Sequence, residues 1–233
     1  MSLQDGRDYL FLIWKDPKTK NRYTVGQLSR NGKFEFSYGY EYKEAIKAGF
    51  ELLIAFPDTD KVYQNDDLFP VFASRLPDPK RKGIEEILKK YYLQNYDAFE
   101  LLKRSGAKLP IDNLEFIDPI LDNGETRIVK NFFVAGAGYF LGCKGDECDR
   151  SVQVSVNDVL RLEPEPENVH DPYAIKIIGC KSNNVLGYLP RYYTQRVSEL
   201  INSNAQIFCK AVEVNRDTYC LECIKAELQI EKQ

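Results

Sequence analysis

Three short runs near the start of the chain alternate apolar and polar residues, with the period of a half-buried β-strand. They cover residues 9–14, 22–28 and 33–38. Turn residues separate them, because Asp16-Pro17 follows the first run and Asn31-Gly32, a dipeptide typical of type I′ hairpins, precedes the third. The pattern predicts a β-meander.

The spacing of apolar residues becomes helical further along the chain. Positions three or four apart are filled by Ile84, Ile87, Leu88 and Tyr91. This stripe predicts an amphipathic helix over residues 82–92. A second helix is predicted after Asp97, because Asp97 and Glu100 have the spacing of a capping box and Gly106 suits a helix C-terminus.

Turn-forming residues are concentrated between residues 118 and 124, and β-type runs replace the helices after them. We therefore expect two domains, residues 1–125 and 126–233. The runs of the second domain are residues 130–135, 152–156, 159–162, 174–178, 185–189, 206–214 and 219–229. One helical pattern follows Pro190 and consists of Tyr193, Val197, Leu200 and Ile201. The predicted fold class is α+β: a β-meander with helices, then a barrel-like sheet with one packed helix.

The charge of the chain limits the kind of partner it can bind. The 233 residues carry a net charge of −3, and neither half is strongly basic. Proteins that coat duplex phosphates usually present a strongly basic face, so any nucleic-acid contact here is expected to be small and local. No run approaches the roughly 18 apolar residues of a membrane span, and the start lacks a signal-peptide pattern. We expect a cytoplasmic protein with no membrane partner.

All six cysteines lie in the second half, and a cytosolic chain of this length does not need disulfides. Two close pairs, Cys143 with Cys148 and Cys220 with Cys223, have the composition of a four-thiolate zinc site. Against zinc, Cys220 and Cys223 lie in a predicted strand, where residues three apart point to opposite faces. No cofactor is expected, and zinc is the alternative.

Recognisable catalytic motifs are absent from the sequence. There is no GxxxxGK[ST] phosphate loop, and the glycine-rich segment 136–142 is followed by a loop-like run instead of the helix that a dinucleotide fingerprint requires. The single histidine, His170, is adjacent to Asp171 in sequence, which is not a catalytic triad. The chain is therefore expected not to be an enzyme. A small hydrolase is the alternative, which the lack of a nucleophile–base pair opposes.

Three motifs of the second half occur in the order found in HIRAN domains. They are Gly136-Ala-Gly-Tyr139-Phe140, Glu165-Pro-Glu-Asn-Val-His170-Asp171-Pro-Tyr-Ala-Ile and Leu186-Gly-Tyr188-Leu-Pro-Arg191. On these motifs the second half resembles HIRAN domain proteins over most of its length. Two positions depart from the family pattern, because Pro164 replaces an arginine and Gly138 replaces a basic residue.

The resemblance implies an OB-like β-barrel whose pocket takes the 3′ end of single-stranded DNA. The DNA-binding residues that it implies are Tyr139, Phe140, His170, Asp171, Tyr188 and Arg191. In this assignment Tyr139 packs on the terminal base, and His170 and Asp171 line the pocket. The Asp171 carboxylate accepts a hydrogen bond from the 3′-hydroxyl, while Tyr188 and Arg191 contact sugar and phosphate.

Four motifs of the first half suggest a second relationship. They are Phe36-Ser-Tyr38, Leu68-Phe-Pro-Val-Phe-Ala-Ser-Arg-Leu-Pro77, Phe99-Glu-Leu-Leu102 and Asp112-Asn-Leu-Glu-Phe116. On these motifs the first half resembles the non-catalytic N-terminal segment of HipA-type toxin kinases. The kinase lobes, with their ATP lysine and metal-binding aspartate, are not matched. The resemblance therefore implies an interaction or structural subdomain and no phosphoryl transfer.

Two functional hypotheses follow from these resemblances. The first is a non-enzymatic nucleic-acid-binding protein that recognises single-stranded 3′ ends, or damaged or stalled DNA in repair. The second is a protein-interaction component of a toxin–antitoxin or phage-defence system that does not itself bind DNA. A helicase, nuclease or toxin-type protein is the expected protein partner in either case, because this sequence carries no motor or catalytic motif of its own.

Overall fold

A computed structural model describes residues 8–19, 21–121, 124–142, 154–215 and 223–232. The chain folds into two compact units, Met1–Asn123 and Gly124–Gln233. Each unit is built on one antiparallel sheet, and short helices cover it, so the fold is α+β as predicted. No helix among the described residues is long and apolar enough to cross a bilayer.

The first unit contains a five-stranded antiparallel sheet with the strand order β4-β3-β2-β1-β5. Its strands are β1 (Asp8–Lys15), β2 (Arg22–Asn31), β3 (Lys33–Tyr38), β4 (Tyr63–Asn65) and β5 (Leu114–Ile117). Its helices are α1 (Tyr42–Lys47), α2 (Pro70–Ala73), α3 (Ile84–Lys90) and α4 (Ala98–Ser105). The predicted meander is confirmed. Only its turn type was wrong, because Gly32 has a positive φ of 76° and Asn31 does not, whereas a type I′ turn needs both.

The core of the first unit is a cluster of phenylalanine rings on one face of the sheet. Phe36 stacks on Phe56 with a centroid distance of 4.2 Å, and Phe72 packs edge-on against Phe116 at 5.1 Å. All four side chains are almost completely buried. Because burying one such ring is worth about 1.5–3 kcal/mol, this cluster is the main stabilising feature of the unit.

Helix α4 begins as the sequence predicts. The Asp97 carboxylate accepts the Glu100 amide at 3.0 Å, and Gly106 ends the helix in the left-handed conformation with φ 70°. Asp97 also accepts from the Arg30 guanidinium at 2.7 Å. Burial alone would raise the pKa of Asp97, but the hydrogen bonds from Arg30 and the Glu100 amide outweigh it and lower the pKa.

A second arginine, Arg75, connects the segment after α2 to the residues around the start of β5. The Arg75 guanidinium is 6% exposed and pairs with both oxygens of Asp112. It also donates to the carbonyl oxygens of Ala107 at 3.0 Å and Leu114 at 2.8 Å. These contacts satisfy a buried guanidinium and place β5 beside β1.

The second unit contains a six-stranded antiparallel sheet with the strand order β6-β11-β10-β7-β8-β9. Its strands are β6 (Arg127–Phe133), β7 (Val159–Pro164), β8 (Ile175–Gly179), β9 (Val185–Tyr188), β10 (Gln206–Val214) and β11 (Ile224–Glu231). Its helices are α5 (Ala137–Phe140) and α6 (Arg191–Asn202). Helix α6 buries Tyr193, Val197 and Leu200, which confirms the predicted packed helix.

The two edge strands of this sheet meet, so that the sheet curls into a partly open barrel. Ala135, just after β6, and Tyr188 in β9 exchange two backbone hydrogen bonds of 2.8 Å. Gly187, the residue before Tyr188 in β9, packs against Ala135 and has a φ of 145°. A Cβ at Gly187 would lie 2.4 Å from the Ala135 oxygen and 2.7 Å from a Val134 methyl carbon, so the closure requires glycine here.

Two predicted strands of the barrel were wrong in part. The run 152–156 was predicted as a strand, but residues 154–158 form a turn. In this turn Ser155 and Asp158 hydrogen-bond to each other, and Asn157 has a φ of 72°. Ser, Asn and Asp favour such turns, and this preference overrides the alternation of the valines. The run 219–229 becomes a strand only at Ile224, and its first residues lie outside the described ranges.

Candidate nucleic-acid interface

The loop between β7 and β8 is shaped by the side chain of Asn168. Its Oδ1 accepts the amides of His170 at 2.9 Å and Asp171 at 3.2 Å. Its Nδ2 donates to Glu165 Oε2 at 2.7 Å. One amide group therefore folds the loop back on itself and fixes the backbone of both predicted pocket residues, His170 and Asp171.

Glu165 is the centre of the polar network beneath this loop. Its carboxylate pairs with the Lys176 ammonium at 2.5 Å and accepts the Tyr188 hydroxyl at 2.8 Å, in addition to the Asn168 amide. The hydrogen bonds from Lys176, Asn168 and Tyr188 lower the pKa of Glu165 to about 2. This carboxylate is ionised at neutral pH and joins β8, β9 and the loop.

Tyr188 lies between the polar network and an aromatic group. Its ring packs edge-on against Phe140 with a centroid distance of 5.6 Å, and Phe140 packs in the same way against Tyr139 at 5.2 Å. Burial, and then the hydrogen bond to Glu165, raise the pKa of Tyr188. Because its hydroxyl proton is directed at Glu165, the Tyr188 hydroxyl can accept a hydrogen bond from a ligand but cannot donate one.

Asp171 is held by two neutral donors. Its Oδ1 accepts the Tyr173 amide at 2.9 Å, and its Oδ2 accepts the hydroxyl of the buried Thr194 in α6 at 2.9 Å. A carboxylate has about four lone-pair positions, so each oxygen keeps room for another donor. The bond to Thr194 fixes the loop to the first turn of α6, where Arg191 is exposed.

The outer edge of the site is aromatic and apolar. Tyr139 is 85% exposed at the end of the one-turn helix α5, and Val169 is 90% exposed in the loop. His170 is also exposed, and Phe140 is half-buried. We give the name end pocket to the surface residues Tyr139, Phe140, His170, Asp171, Tyr188 and Arg191, after the DNA-end site that the HIRAN resemblance implies. Ring contacts join Tyr139, Phe140 and Tyr188, and Tyr188 is linked through Glu165 and Asn168 to the backbone of His170 and Asp171. The Asp171 carboxylate is bonded to Thr194, in the same helical turn as Arg191.

Helix α5 was not predicted. A single helical turn lies within the glycine-rich segment 136–142 and begins after Gly136, which adopts φ 72°. The Phe140 amide donates to the Gly136 carbonyl oxygen. The turn has only four residues, Ala137–Phe140, so the strand–glycine–long helix arrangement of a dinucleotide site is still not formed. Its effect is to place Phe140 against Tyr188, with Tyr139 packed on the ring of Phe140.

The charge around the end pocket is mainly negative. The loop and the end of β7 carry Glu163, Glu165, Glu167 and Asp171. Lys176 is engaged with Glu165, and the positions where basic residues were expected are Pro164, exposed at the end of β7, and Gly138, buried in α5. Among the described residues of this surface, acidic side chains therefore outnumber basic ones.

Two family models match the chain. One, described as the HIRAN domain, matches residues 110–229, just over half of the chain. The chain belongs to the HIRAN domain family. The other, described as the HipA N-terminal domain, matches residues 19–110. Both resemblances drawn from the sequence motifs are confirmed, and nucleic-acid binding is the function class that the HIRAN family implies for the second unit. We call the second unit, Gly124–Gln233, the HIRAN unit and the first, Met1–Asn123, the N-terminal unit.

Two solved structures are similar to part of the chain at low identity. The crystal structure of the HIRAN domain of human HLTF is 19% identical, with a TM-score of 0.31, and the match covers 45% of this chain and 73% of that one. A crystal structure of a protein from Lactobacillus plantarum is 16% identical, with a TM-score of 0.33, and the match covers 46% of this chain and 99% of that one. No curated protein matches the chain significantly.

Sequence reasoning missed three residues that organise the HIRAN site. Glu165 and Asn168 belong to the quoted motif but were given no role, and Thr194 was not noticed. The spacing of Asn168 before His170 and Asp171 is that of an Asx turn, which was a usable signal. Nothing in the local sequence connects Thr194 to Asp171, since they meet only in the folded barrel.

The zinc hypothesis stays a prediction. Cys143, Cys148 and Cys220 lie outside the described residues, and Cys223 is buried directly before β11. The strand argument against zinc therefore does not apply to Cys223. In the parts of the chain that the structure does describe, no three His, Cys, Asp or Glu side chains are arranged to hold a metal ion.

Proposed function

We propose that the HIRAN unit binds the 3′ end of single-stranded DNA in the end pocket, with the Asp171 carboxylate as the acceptor for the terminal 3′-hydroxyl. The observation that carries the proposal is the setting of Asp171. Two neutral donors, Thr194 and the Tyr173 amide, orient its carboxylate and leave acceptor positions open.

Charge favours a terminal hydroxyl over a continuous strand. A strand that runs through the pocket would bring a phosphate to the 3′ oxygen, close to Asp171 and to Glu167 in the same loop. The negative charges of the phosphate and the carboxylate would repel each other, whereas a hydroxyl donates a hydrogen bond to the same carboxylate. The acidic loop thereby acts as a filter for free, unphosphorylated ends.

The exposed ring of Tyr139 supplies a binding surface that is independent of sequence. Every base has a π-face, and stacking on an aromatic side chain is worth about 1–3 kcal/mol for each base. Phe140 supports the ring of Tyr139 from the side of the barrel at 5.2 Å. Arg191, exposed at the start of α6, is the candidate contact for a phosphate one step from the end.

Fluorescence anisotropy with 5′-labelled oligonucleotides tests the proposal. We expect binding of a short single strand with a 3′-hydroxyl, and a loss of binding of roughly tenfold or more when the 3′ end carries a phosphate. The substitution Asp171→Ala removes the acceptor and is expected to weaken binding of the hydroxyl end. Glu213→Ala is the matched control, since it removes the same charge from an exposed position of β10.

The second candidate is the protein-interaction role, which the match of residues 19–110 to the HipA N-terminal domain supports. In this case the end pocket does not bind DNA, and no oligonucleotide raises the anisotropy even at low salt. Neither candidate includes a catalytic step, because neither assigns a nucleophile or a general base. Any helicase, nuclease or toxin-type activity belongs to a partner protein in both proposals.

A further inference from the structure

A groove lies at the free edge of the first sheet, and the nucleic-acid function of the HIRAN unit does not use it. Strand β4 ends the sheet and pairs with β3 alone among the described strands. The groove lies between β4 and the start of α2, with a cavity volume of about 520 Å³. It is lined by Ala55, Phe56, Lys61, Val62, Tyr63, Gln64, Phe69, Pro70 and Val71.

The floor of this edge groove is apolar and preformed. Phe56 is held by stacking on Phe36 at 4.2 Å and by edge contacts with Tyr63 and Phe69, each at 5.0 Å. Val62 on its rim is 55% exposed. A rigid apolar floor lowers the entropic cost of binding a side chain, so the groove has the properties of a recognition pocket.

The segment that contains β4 is acidic. Four aspartates and one lysine lie between residues 58 and 67, namely Asp58, Asp60, Lys61, Asp66 and Asp67, and all are exposed. Of these five, Lys61 lines the groove, and the aspartates flank its lining residues in sequence. The Lys61 ammonium lies 5.0 Å from the centre of the Tyr63 ring, folded against the groove wall. Asp66 is paired with Lys33 at 3.1 Å. The negative charges that remain favour a cationic ligand.

An edge strand beside an apolar groove is the geometry of strand addition, in which an extended peptide pairs with the free strand edge and places alternate side chains in the groove. The acidic segment 58–67 opposes a second copy of this chain, because two acidic edges repel each other. A small molecule is a poorer fit, since few convergent polar side chains line the cavity.

We propose that the edge groove binds an extended peptide segment of a partner protein in which apolar and basic residues alternate. The peptide lies along β4, its apolar side chains enter the groove over Phe56, and its basic side chains face Asp58, Asp60 and Asp67. This gives the first unit a partner-binding role that does not depend on whether the HIRAN unit binds DNA.

The test is an NMR titration of the full-length, ¹⁵N-labelled chain with the peptide acetyl-Lys-Val-Arg-Val-Lys-Val-Arg-amide. We expect shifts of the Val62, Tyr63 and Val71 amides, with binding roughly tenfold or more tighter than that of the peptide with Glu in place of each basic residue. Absence of these shifts at millimolar peptide overturns the proposal, as does equal binding of the acidic peptide.

Two variants separate the contributions of the groove. Val62→Lys, at an exposed position, is expected to weaken binding of the basic peptide roughly tenfold. The double substitution Asp60→Asn and Asp67→Asn is expected to weaken this binding several-fold and to reduce its salt dependence. Ile111→Lys is the matched control, because it makes the same change at an exposed site of the same unit that does not line the groove. Unchanged affinity in both groove variants contradicts the assignment.

Other occupants have their own outcomes in the same experiment. Shifts of the groove amides by a single-stranded oligonucleotide would overturn the peptide assignment in favour of nucleic acid. A concentration-dependent dimer in sedimentation velocity that the peptide dissociates would overturn it in favour of a second copy. Oligonucleotide shifts at Tyr139 and Asp171 report the end pocket, so the failure of one proposal is distinguishable from the failure of the other.

Discussion

Asp97 and Asp112 of the N-terminal unit have partners of a different kind from those of Asp171 in the HIRAN unit. In the N-terminal unit Asp97 faces the Arg30 guanidinium and Asp112 faces Arg75, so each charge is neutralised inside the fold. In the HIRAN unit Asp171 is held by a hydroxyl and a backbone amide. A carboxylate paired with arginine stabilises the structure, whereas one held by neutral donors keeps its charge and part of its acceptor capacity for a ligand.

The aromatic residues show the same contrast. Rings in the core of the N-terminal unit, such as Phe36 and Phe72, are almost completely buried and pack against each other. In the HIRAN unit the row from Tyr188 through Phe140 ends in the exposed ring of Tyr139. A closed cluster contributes to stability, and an open row contributes contact surface. The two kinds of contribution can be separated by mutation.

The largest effect is expected for the buried cluster. Phe56→Ala should lower the free energy of unfolding of the N-terminal unit by about 3–5 kcal/mol, because it leaves a cavity among packed rings. Tyr139→Ala should change stability by less than about 0.5 kcal/mol but weaken oligonucleotide binding by about 1–3 kcal/mol. Urea denaturation and anisotropy measure the two effects. Comparable destabilisation by both variants would remove the contrast.

Gly187→Ala should damage stability and binding together. The added methyl group meets the Ala135 oxygen and forces a positive φ on alanine, which we expect to cost about 2–4 kcal/mol. Hydrogen exchange at the Ala135 and Tyr188 amides should accelerate most. Gly142→Ala is the control, since its φ is also positive, 70°, but no atom lies within 4 Å of the added carbon. Equal effects of the two substitutions would argue against barrel closure by Gly187.

Isosteric changes at the two aspartates sharpen the comparison further. Asp97→Asn should lower stability by about 0.5–1 kcal/mol through the lost ion pair with Arg30, and leave DNA binding unchanged. Asp171→Asn should leave stability nearly unchanged and reduce affinity for a 3′-hydroxyl end roughly tenfold. Both variants lose one negative charge, so a general electrostatic effect would raise affinity in both, which is the opposite of what we expect at Asp171.

The smallest effect concerns Glu165 and pH. The pKa of Glu165 is about 2 in the folded chain against an ordinary value of 4.5, so its ionised form stabilises the fold above pH 4.5. This contribution is lost as the pH falls from 4.5 towards 2. In Glu165→Gln the free energy of unfolding should therefore fall less steeply over that interval, as acid-dependent urea denaturation can measure. An unchanged slope would show that the network around Glu165 does not form.

Much of the fold follows from local sequence patterns. The alternation that predicts the meander and the capping residues of α4 act within a few positions, and both are confirmed. The strand β10 has the predicted bounds, Gln206–Val214. The three-residue strand β4 was missed, because so short a segment shows no period and forms only by pairing with β3.

The site was less predictable than the fold. The end-pocket residues came from a resemblance, and their connections depend on contacts between distant segments. The bond from Thr194 to Asp171 spans 23 positions, and the bond from Tyr188 to Glu165 spans the same number. Such pairs form only when the barrel closes and α6 packs on it. A short stretch of sequence therefore carries no signal for them.

The measurement that tests the central claim most directly is a double-mutant cycle between Asp171 and the DNA end. Anisotropy is measured for the natural chain and for Asp171→Ala, each with a 3′-hydroxyl oligonucleotide and with its 3′-deoxy counterpart. We predict that the natural chain loses about 1.5–3 kcal/mol on removal of the hydroxyl and that Asp171→Ala loses almost nothing. Equal losses in both proteins, or none in either, would contradict end recognition by Asp171.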